Sequence, residues 1–78
     1  MLKPGRYRHF KGKEYQVLEV ARHSETLEEF VVYRALYEDK DGRHGGLWIR
    51  PLRMFTEEVA RDGRKQPRFE LVEADPLR

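Results

Sequence analysis

Residues 30–37 read Phe30-Val31-Val32-Tyr33-Arg34-Ala35-Leu36-Tyr37. β-Branched and aromatic side chains dominate this segment, and they are the residue types that β-strands favour. The segment therefore predicts one strand of a sheet. After a polar turn over residues 38–46, Leu47-Trp48-Ile49-Arg50 predicts a second, short strand that ends at Pro51. Because side chains alternate along a strand, Trp48 and Arg50 are expected on the same face.

Three further strands are predicted outside this pair. Arg6–Phe10 and Glu14–Ala21 flank the turn Lys11-Gly12-Lys13, so they are expected to form a hairpin. Both faces of the second strand are partly apolar. The alternation places Tyr15, Val17 and Ala21 on one face, and Leu18 and Val20 on the other. The fifth strand, Pro67–Val72, has an edge-like pattern.

A short helical segment is predicted before the fifth strand. Leu52, Phe55 and Val59 follow one another at spacings of three and four residues, which is typical of one apolar stripe of a helix. Asp62-Gly63 is expected to end that helix. Five short strands with one helical turn before the last predict an all-β domain, an SH3-like five-stranded barrel, because closure covers the sheet edges. A chain of 78 residues is expected to form one domain over residues 1–78, with a core at about 5–72 and a tail at 73–78.

The amino-acid composition excludes several classes of protein. The chain has no cysteine, which excludes disulfides and thiolate zinc sites and permits a reducing compartment. No apolar run approaches the roughly 20 residues that a membrane-spanning helix needs, and the first residues lack a secretory signal. We therefore expect a cytoplasmic protein with no membrane partner. The net charge of +2 is small for a dedicated nucleic-acid binder.

The basic residues are mostly arginines. The planar guanidinium of arginine suits phosphate and carboxylate groups and stacks on aromatic rings. The alternative interpretation is that these arginines form surface ion pairs with the glutamates of the same domain, each contributing little to stability.

A set of short motifs spans nearly the whole chain: Gly5-x-Tyr7-x-His9-x-Lys11-Gly12-x-x-Tyr15, Ala21-Arg22-His23-Ser24-Glu25-Thr26-Leu27-Glu28, Val32-Tyr33-x-x-Leu36-Tyr37, Leu47-Trp48-x-Arg50-Pro51-x-x-Met54-Phe55 and Pro67-Arg68-Phe69. In this order they resemble the small bacterial family catalogued as domain of unknown function 1653. The resemblance implies a compact, SH3-like β-domain in the bacterial cytoplasm. It implies no particular activity.

The first candidate binding site is formed by Arg34, Trp48 and Arg50. A turn centred near Gly42 places Arg34 opposite Arg50 and Leu36 opposite Trp48 on one face. Two arginines in this position repel each other unless an anion lies between them, and Trp48 offers a stacking plane for a flat group. In the alternative, Glu19 or Glu70 neutralises the pair and Trp48 belongs to the core.

The second candidate site is the loop Arg22-His23-Ser24-Glu25-Thr26. In a binding role, Arg22 and His23 donate hydrogen bonds to an anion, and Ser24 and Thr26 add hydroxyl groups. The alternative is a loop whose polar side chains, Glu25 included, bond to the local backbone and rigidify it.

No catalytic residues, metal ligands or cofactors are predicted. Ser24 and His23 are adjacent in the chain, a placement that disfavours a nucleophile and its base, and the three histidines lack the spacing of a zinc site. We therefore expect a non-enzymatic recognition module for an anionic or flat ligand such as nucleic acid. The alternative is a protein-interaction or homo-oligomer assembly module in which the arginines and Trp48 are structural.

Overall fold

The computed structural model describes residues 2–38 and 46–76 of the chain. Residues 39–45, which make up most of the turn predicted at residues 38–46, lie outside the described part. The elements in chain order are β1 (Gly5–His9), β2 (Glu14–Arg22), β3 (Glu29–Ala35), β4 (Leu47–Pro51), α1 (Leu52–Phe55), β5 (Glu58–Arg61), β6 (Arg64–Pro67) and β7 (Phe69–Ala74). The predicted mainly β class is confirmed.

Five strands form one antiparallel sheet in the order β4-β3-β2-β1-β7. Closure into an SH3-like barrel is not confirmed, because β4 and β7 are the two edges of this sheet in the described part of the chain. β4 and β7 are bridged by side-chain contacts rather than by strand pairing. The Arg50 guanidinium of β4 lies 5.5 Å from the ring centroid of Phe69 in β7.

The segment between α1 and β7 differs from the prediction. Val59 belongs to β5 rather than to a helix, and β5 pairs with β6 in a separate two-stranded hairpin. Asp62 and Gly63 form its two-residue loop, with φ angles of 54° and 76°. Positive φ at both central residues is what a type I′ hairpin turn requires, and Asp-Gly is a preferred pair there. The preference of Asp62-Gly63 for a hairpin turn therefore decides the structure here, although the apolar residues have a helical spacing.

A β-bulge in β2 explains why both of its faces look apolar. Val17 lies opposite Tyr33 and Glu19 lies opposite Val32, which leaves Leu18 as an extra residue. Such an extra residue reverses the alternation of the side chains beyond it. Val20 therefore shares the face of Val17, and the predicted grouping of Ala21 with Tyr15 and Val17 is wrong.

The core is rich in aromatic rings. Its buried side chains are Tyr7, Val17, Val31, Tyr33, Phe55 and Phe69. The rings of Phe55 and Phe69 stack with their centroids 4.0 Å apart and their planes 2° apart. Phe55 is the buried residue of α1, so this single helical turn serves mainly to insert one ring between the sheet edges.

Strand β7 extends into the segment that was predicted to be a tail. Glu73 lies opposite Arg6 and Ala74 lies opposite Gly5 of β1. The end of β7 therefore belongs to the folded sheet.

Among the residues that the structure describes, no helix has the length and apolar character needed to cross a membrane.

Candidate aromatic and basic binding site

The register between β3 and β4 places Arg34 and Arg50 on different faces of the sheet. Tyr33 lies opposite Trp48, Val31 lies opposite Arg50, and Arg34 lies opposite Leu47. The predicted pairing of Arg34 with Arg50 is therefore wrong. Val31 and Tyr33 are buried, so Trp48 and Arg50 share the core side of the sheet. Arg34 is exposed on the outer face and is separate from this pair.

Trp48 lies at the mouth of an aromatic pocket. Its side chain is 55% exposed, although it projects from the core side. Tyr15, Tyr33, Tyr37 and Trp48 line an open cavity of about 210 Å³. We call these four residues the aromatic pocket. The exposed ring excludes the alternative in which Trp48 is packed within the core.

The tyrosines of the aromatic pocket hold one another in place. The ring of Tyr15 meets those of Tyr33 and Tyr37 edge to face, at centroid distances of 5.4 and 5.5 Å. The hydroxyl oxygens of Tyr15 and Tyr37 are 3.0 Å apart and share a hydrogen bond. Burial, followed by this hydrogen bond, raises the pKa of Tyr15, so its hydroxyl stays protonated.

Arg50 contacts the aromatic pocket through Tyr33. Its Nε donates a hydrogen bond of 3.4 Å to the Tyr33 hydroxyl, and its guanidinium lies against Phe69. In the described part of the chain, the ion pairs join Arg6, Arg8, Arg53 and Arg68 to glutamates, and none includes Arg50. The register places Glu19 opposite Val32 and Glu70 opposite Arg8, on the outer face of the sheet, whereas Arg50 lies on the core face. Arg50 is thus held by aromatic groups and keeps its charge available.

A second cation contacts the aromatic pocket at Tyr37. The Lys13 Nζ lies 4.3 Å from the ring centroid of Tyr37. A cation this close to an aromatic face is attracted by the ring quadrupole. Lys13 and Arg50 therefore place positive charge next to two rings of the aromatic pocket, Tyr37 and Tyr33.

His9 also lies in positive surroundings. Burial, then the charges of Arg50, Arg68 and Lys11, lowers the pKa of His9. Its Nδ1 accepts a hydrogen bond of 3.1 Å from the Lys11 N–H, which is the backbone role that suits a neutral ring. The three cations, which contribute less to the shift than burial does, place positive charge around the end of β1.

Two side chains of the Arg22–Thr26 loop, those of His23 and Thr26, accept hydrogen bonds from the local backbone. His23 Nδ1 accepts hydrogen bonds from the backbone N–H groups of Glu25 and Thr26, at 3.1 and 3.2 Å. The Thr26 hydroxyl oxygen accepts a hydrogen bond from the Glu28 N–H. These contacts match the alternative interpretation, in which the loop side chains rigidify the turn.

The loop and Trp48 lie in different places. Glu29, where the loop meets β3, is four residues from Tyr33, the partner of Trp48. That spacing corresponds to about 13 Å along a strand. The predicted site residues Arg22, His23, Ser24, Glu25 and Thr26 are thus exposed at one end of the β2–β3 hairpin, away from the aromatic pocket.

The sequence prediction did not include Lys13, Tyr15, Tyr33 or Tyr37 in the site. The observed register between β3 and β4 places Tyr33 opposite Trp48 on the same face. The pairing of β2 with β3 then places Tyr15 on that face as well. The missing information was the register, since residue types alone do not relate these positions.

Metal binding has no support in the described residues. No group of three or more histidine, aspartate or glutamate side chains lies close enough together to hold an ion within residues 2–38 and 46–76. His44 lies outside the described part of the chain.

Comparisons with known proteins identify the family. A family model described as "Protein of unknown function (DUF1653)" matches residues 5–71. The chain is also similar to the crystal structure of a DUF1653 protein from Bordetella bronchiseptica. The two share 40% sequence identity over 99% of this chain and 95% of the other, with a TM-score of 0.80. A comparison with curated proteins found no match. The predicted resemblance is confirmed, and the chain belongs to the DUF1653 family.

Proposed function

We propose that this domain is a non-enzymatic recognition module whose aromatic pocket binds a flat ring that carries negative charge nearby. A nucleotide base with its phosphate is the leading instance. The observation that carries the proposal is the exposed Trp48 beside three tyrosines in an open cavity of about 210 Å³. Aromatic platforms of this kind stack bases with little sequence preference, at about 1–3 kcal/mol per base.

The charges around the aromatic pocket favour a ligand with negative charge. Quaternary and methylated ammonium groups also bind in aromatic cages. Among the residues that the structure describes, the lining has no carboxylate, and Lys13 and Arg50 contact its rings Tyr37 and Tyr33. A cationic ligand would be repelled, whereas a phosphate attached to the stacked ring gains a charge-assisted hydrogen bond from Arg50.

Trp48 is the single tryptophan, so its fluorescence reports on the aromatic pocket alone. We expect a thymidine dinucleotide to quench the emission of Trp48 at low salt and to bind more weakly as salt is raised. Trp48→Ala removes the stacking plane and is expected to weaken binding about 5- to 150-fold, which is ~1–3 kcal/mol. Isothermal titration calorimetry measures the affinity of both proteins.

The control for this substitution is Leu47→Ala. Leu47 is the neighbouring residue, 58% exposed on the outer face of β4, and its loss is expected to leave the affinity unchanged. Equal affinities of Trp48→Ala and the unsubstituted protein, or no binding at low salt, would exclude the proposal.

A second candidate function is self-assembly through the edge strand β4. Leu47 and Ile49 of its outer face are 58% and 64% exposed. An exposed apolar edge strand is a template for pairing with another strand. A second copy of this chain, presenting the same strand, is the partner this surface fits.

Sedimentation equilibrium tests the assembly candidate. If β4 pairs between two copies, the protein sediments as a dimer and Ile49→Lys converts it to a monomer, because a charge is then buried at the edge. Leu27→Lys is the matched control, since Leu27 is equally exposed in the loop at the end of β2. A monomer at high protein concentration would rule this candidate out.

A further inference from the structure

We propose that the ligand is a single nucleic-acid strand several nucleotides long, whose phosphates follow a line of cations from the aromatic pocket to the tip of the β5–β6 hairpin. The inference rests on the proposed function and extends it from one ring to a strand. We call the line formed by Lys13, Lys11, Arg61, Arg64 and Lys65 the basic track.

The first part of the basic track is the β1–β2 turn. Lys13 contacts Tyr37 of the aromatic pocket, and Lys11 is two residues away on the other side of Gly12. The Lys11 Nζ lies 5.8 Å from the ring centroid of Phe10. The turn therefore carries positive charge from the aromatic pocket to Phe10.

The second part begins at Phe10. The guanidinium of Arg61 lies 5.9 Å from the Phe10 ring centroid, and its Nη1 donates a hydrogen bond of 3.4 Å to the Phe10 carbonyl oxygen. The Phe10 ring thus has Lys11 and Arg61 as neighbours. It links the β1–β2 turn to the β5–β6 hairpin and offers a second aromatic ring along the basic track.

The hairpin tip has a like-charge pair. Arg61 and Arg64 lie directly opposite each other in the β5–β6 register. Like charges in such a pair destabilise a hairpin unless an anion offsets them. Neither arginine takes part in an ion pair in the described part of the chain, although Asp62 occupies the turn between them. A phosphate between the two guanidinium groups would remove the repulsion.

The surface beside this pair is concave. Arg61, Asp62, Arg64, Lys65 and Gln66 line a depression of about 690 Å³. Gln66 also lines a second depression of about 200 Å³, together with Phe10 and His9. The two depressions therefore share Gln66 as a lining residue, and the second one includes residues of β1.

The chemistry of the basic track fits a strand better than a protein partner. Proteins that bind single strands combine stacking rings with cations that follow the backbone, over roughly 4–16 nucleotides per domain. Each phosphate contact also adds about 0.7 to the slope of log affinity against log salt for a single strand. Binding through the track is thus expected to increase with strand length and to depend strongly on salt.

The test compares labelled oligothymidylates of two and twelve nucleotides by fluorescence anisotropy. The unsubstituted protein is expected to bind the longer strand more tightly, beyond the statistical gain from overlapping sites. Arg61→Gln combined with Arg64→Gln is expected to remove this advantage and to lower the salt slope by about 1.4, for two lost contacts. Binding of the dinucleotide is expected to stay the same.

The control is Arg22→Gln combined with Arg53→Gln. It removes the same amount of charge from exposed positions outside the basic track, and it is expected to leave the salt slope unchanged. Thermal unfolding of each variant checks that the hairpin substitutions leave the fold intact.

The outcomes separate the two proposals. Equal gains with length in the unsubstituted protein and the Arg61/Arg64 variant would overturn the basic track, while quenching of Trp48 by the dinucleotide would still support the aromatic pocket. The basic track would also be overturned if the Arg22/Arg53 control lowered the salt slope of binding as much as the Arg61/Arg64 variant does. Failure of both strands to quench Trp48 would overturn the pocket and the track together.

Discussion

Phe55→Ala is expected to lower the free energy of unfolding by about 3–5 kcal/mol, the usual cost of truncating a buried phenylalanine. Phe55 is 1% exposed, stacks on Phe69, and meets the rings of Tyr7 and Tyr33 edge to face at 5.6 Å. A domain of this size has a net stability of only about 3–5 kcal/mol. We therefore expect the variant to be largely unfolded at 25 °C, as measured by far-ultraviolet circular dichroism and urea titration.

Phe30→Ala is the control for this substitution. It removes the same atoms from a half-buried side chain on the outer face of β3, for an expected loss of about 1 kcal/mol. Similar losses for the two variants would show that the ring inserted by α1 is not central to the core.

Gly5→Ala is expected to disrupt the pairing of β1 with β7. Gly5 has a φ of 150°, a conformation that other residues adopt only with strain, of about 1–3 kcal/mol. An added Cβ would collide with the Glu73 carbonyl oxygen and lie 2.9 Å from the Ala74 Cα. Because these neighbours are backbone atoms, relief requires the strands to separate, at a further cost of ~1–3 kcal/mol. Urea titration measures the combined loss.

Gly12→Ala separates the two contributions. Gly12 also has a positive φ, of 107°, but an added Cβ there would meet no atom within 4 Å. This variant is expected to show the backbone strain without the collision, so its loss should be clearly smaller than that of Gly5→Ala. Equal losses would mean that the close approach of β7 to Gly5 has no energetic effect.

The strands of the main sheet were predictable from local sequence. The β-branched residues of β3 and the Lys11-Gly12-Lys13 turn carry their own structural preferences, and α1 begins directly after Pro51 as expected. The Asp62-Gly63 hairpin was also encoded locally, but the spacing of Leu52, Phe55 and Val59 imitates a helix. The local sequence predicts the type of an element correctly when its apolar residues fit only the helical or only the strand period.

The candidate binding site was less predictable because it depends on register. Trp48 and Arg50 were identified as site residues from their types, but their neighbours depend on which residue of β3 lies opposite each of them. An odd shift in register moves a side chain to the other face, and that shift separated Arg34 from Arg50. The extra residue Leu18 similarly changed the faces of β2. The sequence of one strand alone does not determine the register of such long-range pairing.

The repulsion argued from the sequence for Arg34 and Arg50 applies instead to Arg61 and Arg64. These two residues are a cross-strand pair, and they lie in the hairpin that the sequence did not predict.

The position of β7 beside β1 has a consequence for folding kinetics. Residues 5–9 pair with residues 69–74, whereas β1, β2 and β3 follow one another through short connections. Contacts between distant residues form only after a long loop has closed, which slows their formation. We expect the β1–β2–β3 meander to assemble first and β7 to dock late, bringing Phe69 against Phe55. The lifetime of the native state would then be governed by the rate at which β7 detaches, so strengthening β7 would slow unfolding and leave the folding rate nearly unchanged.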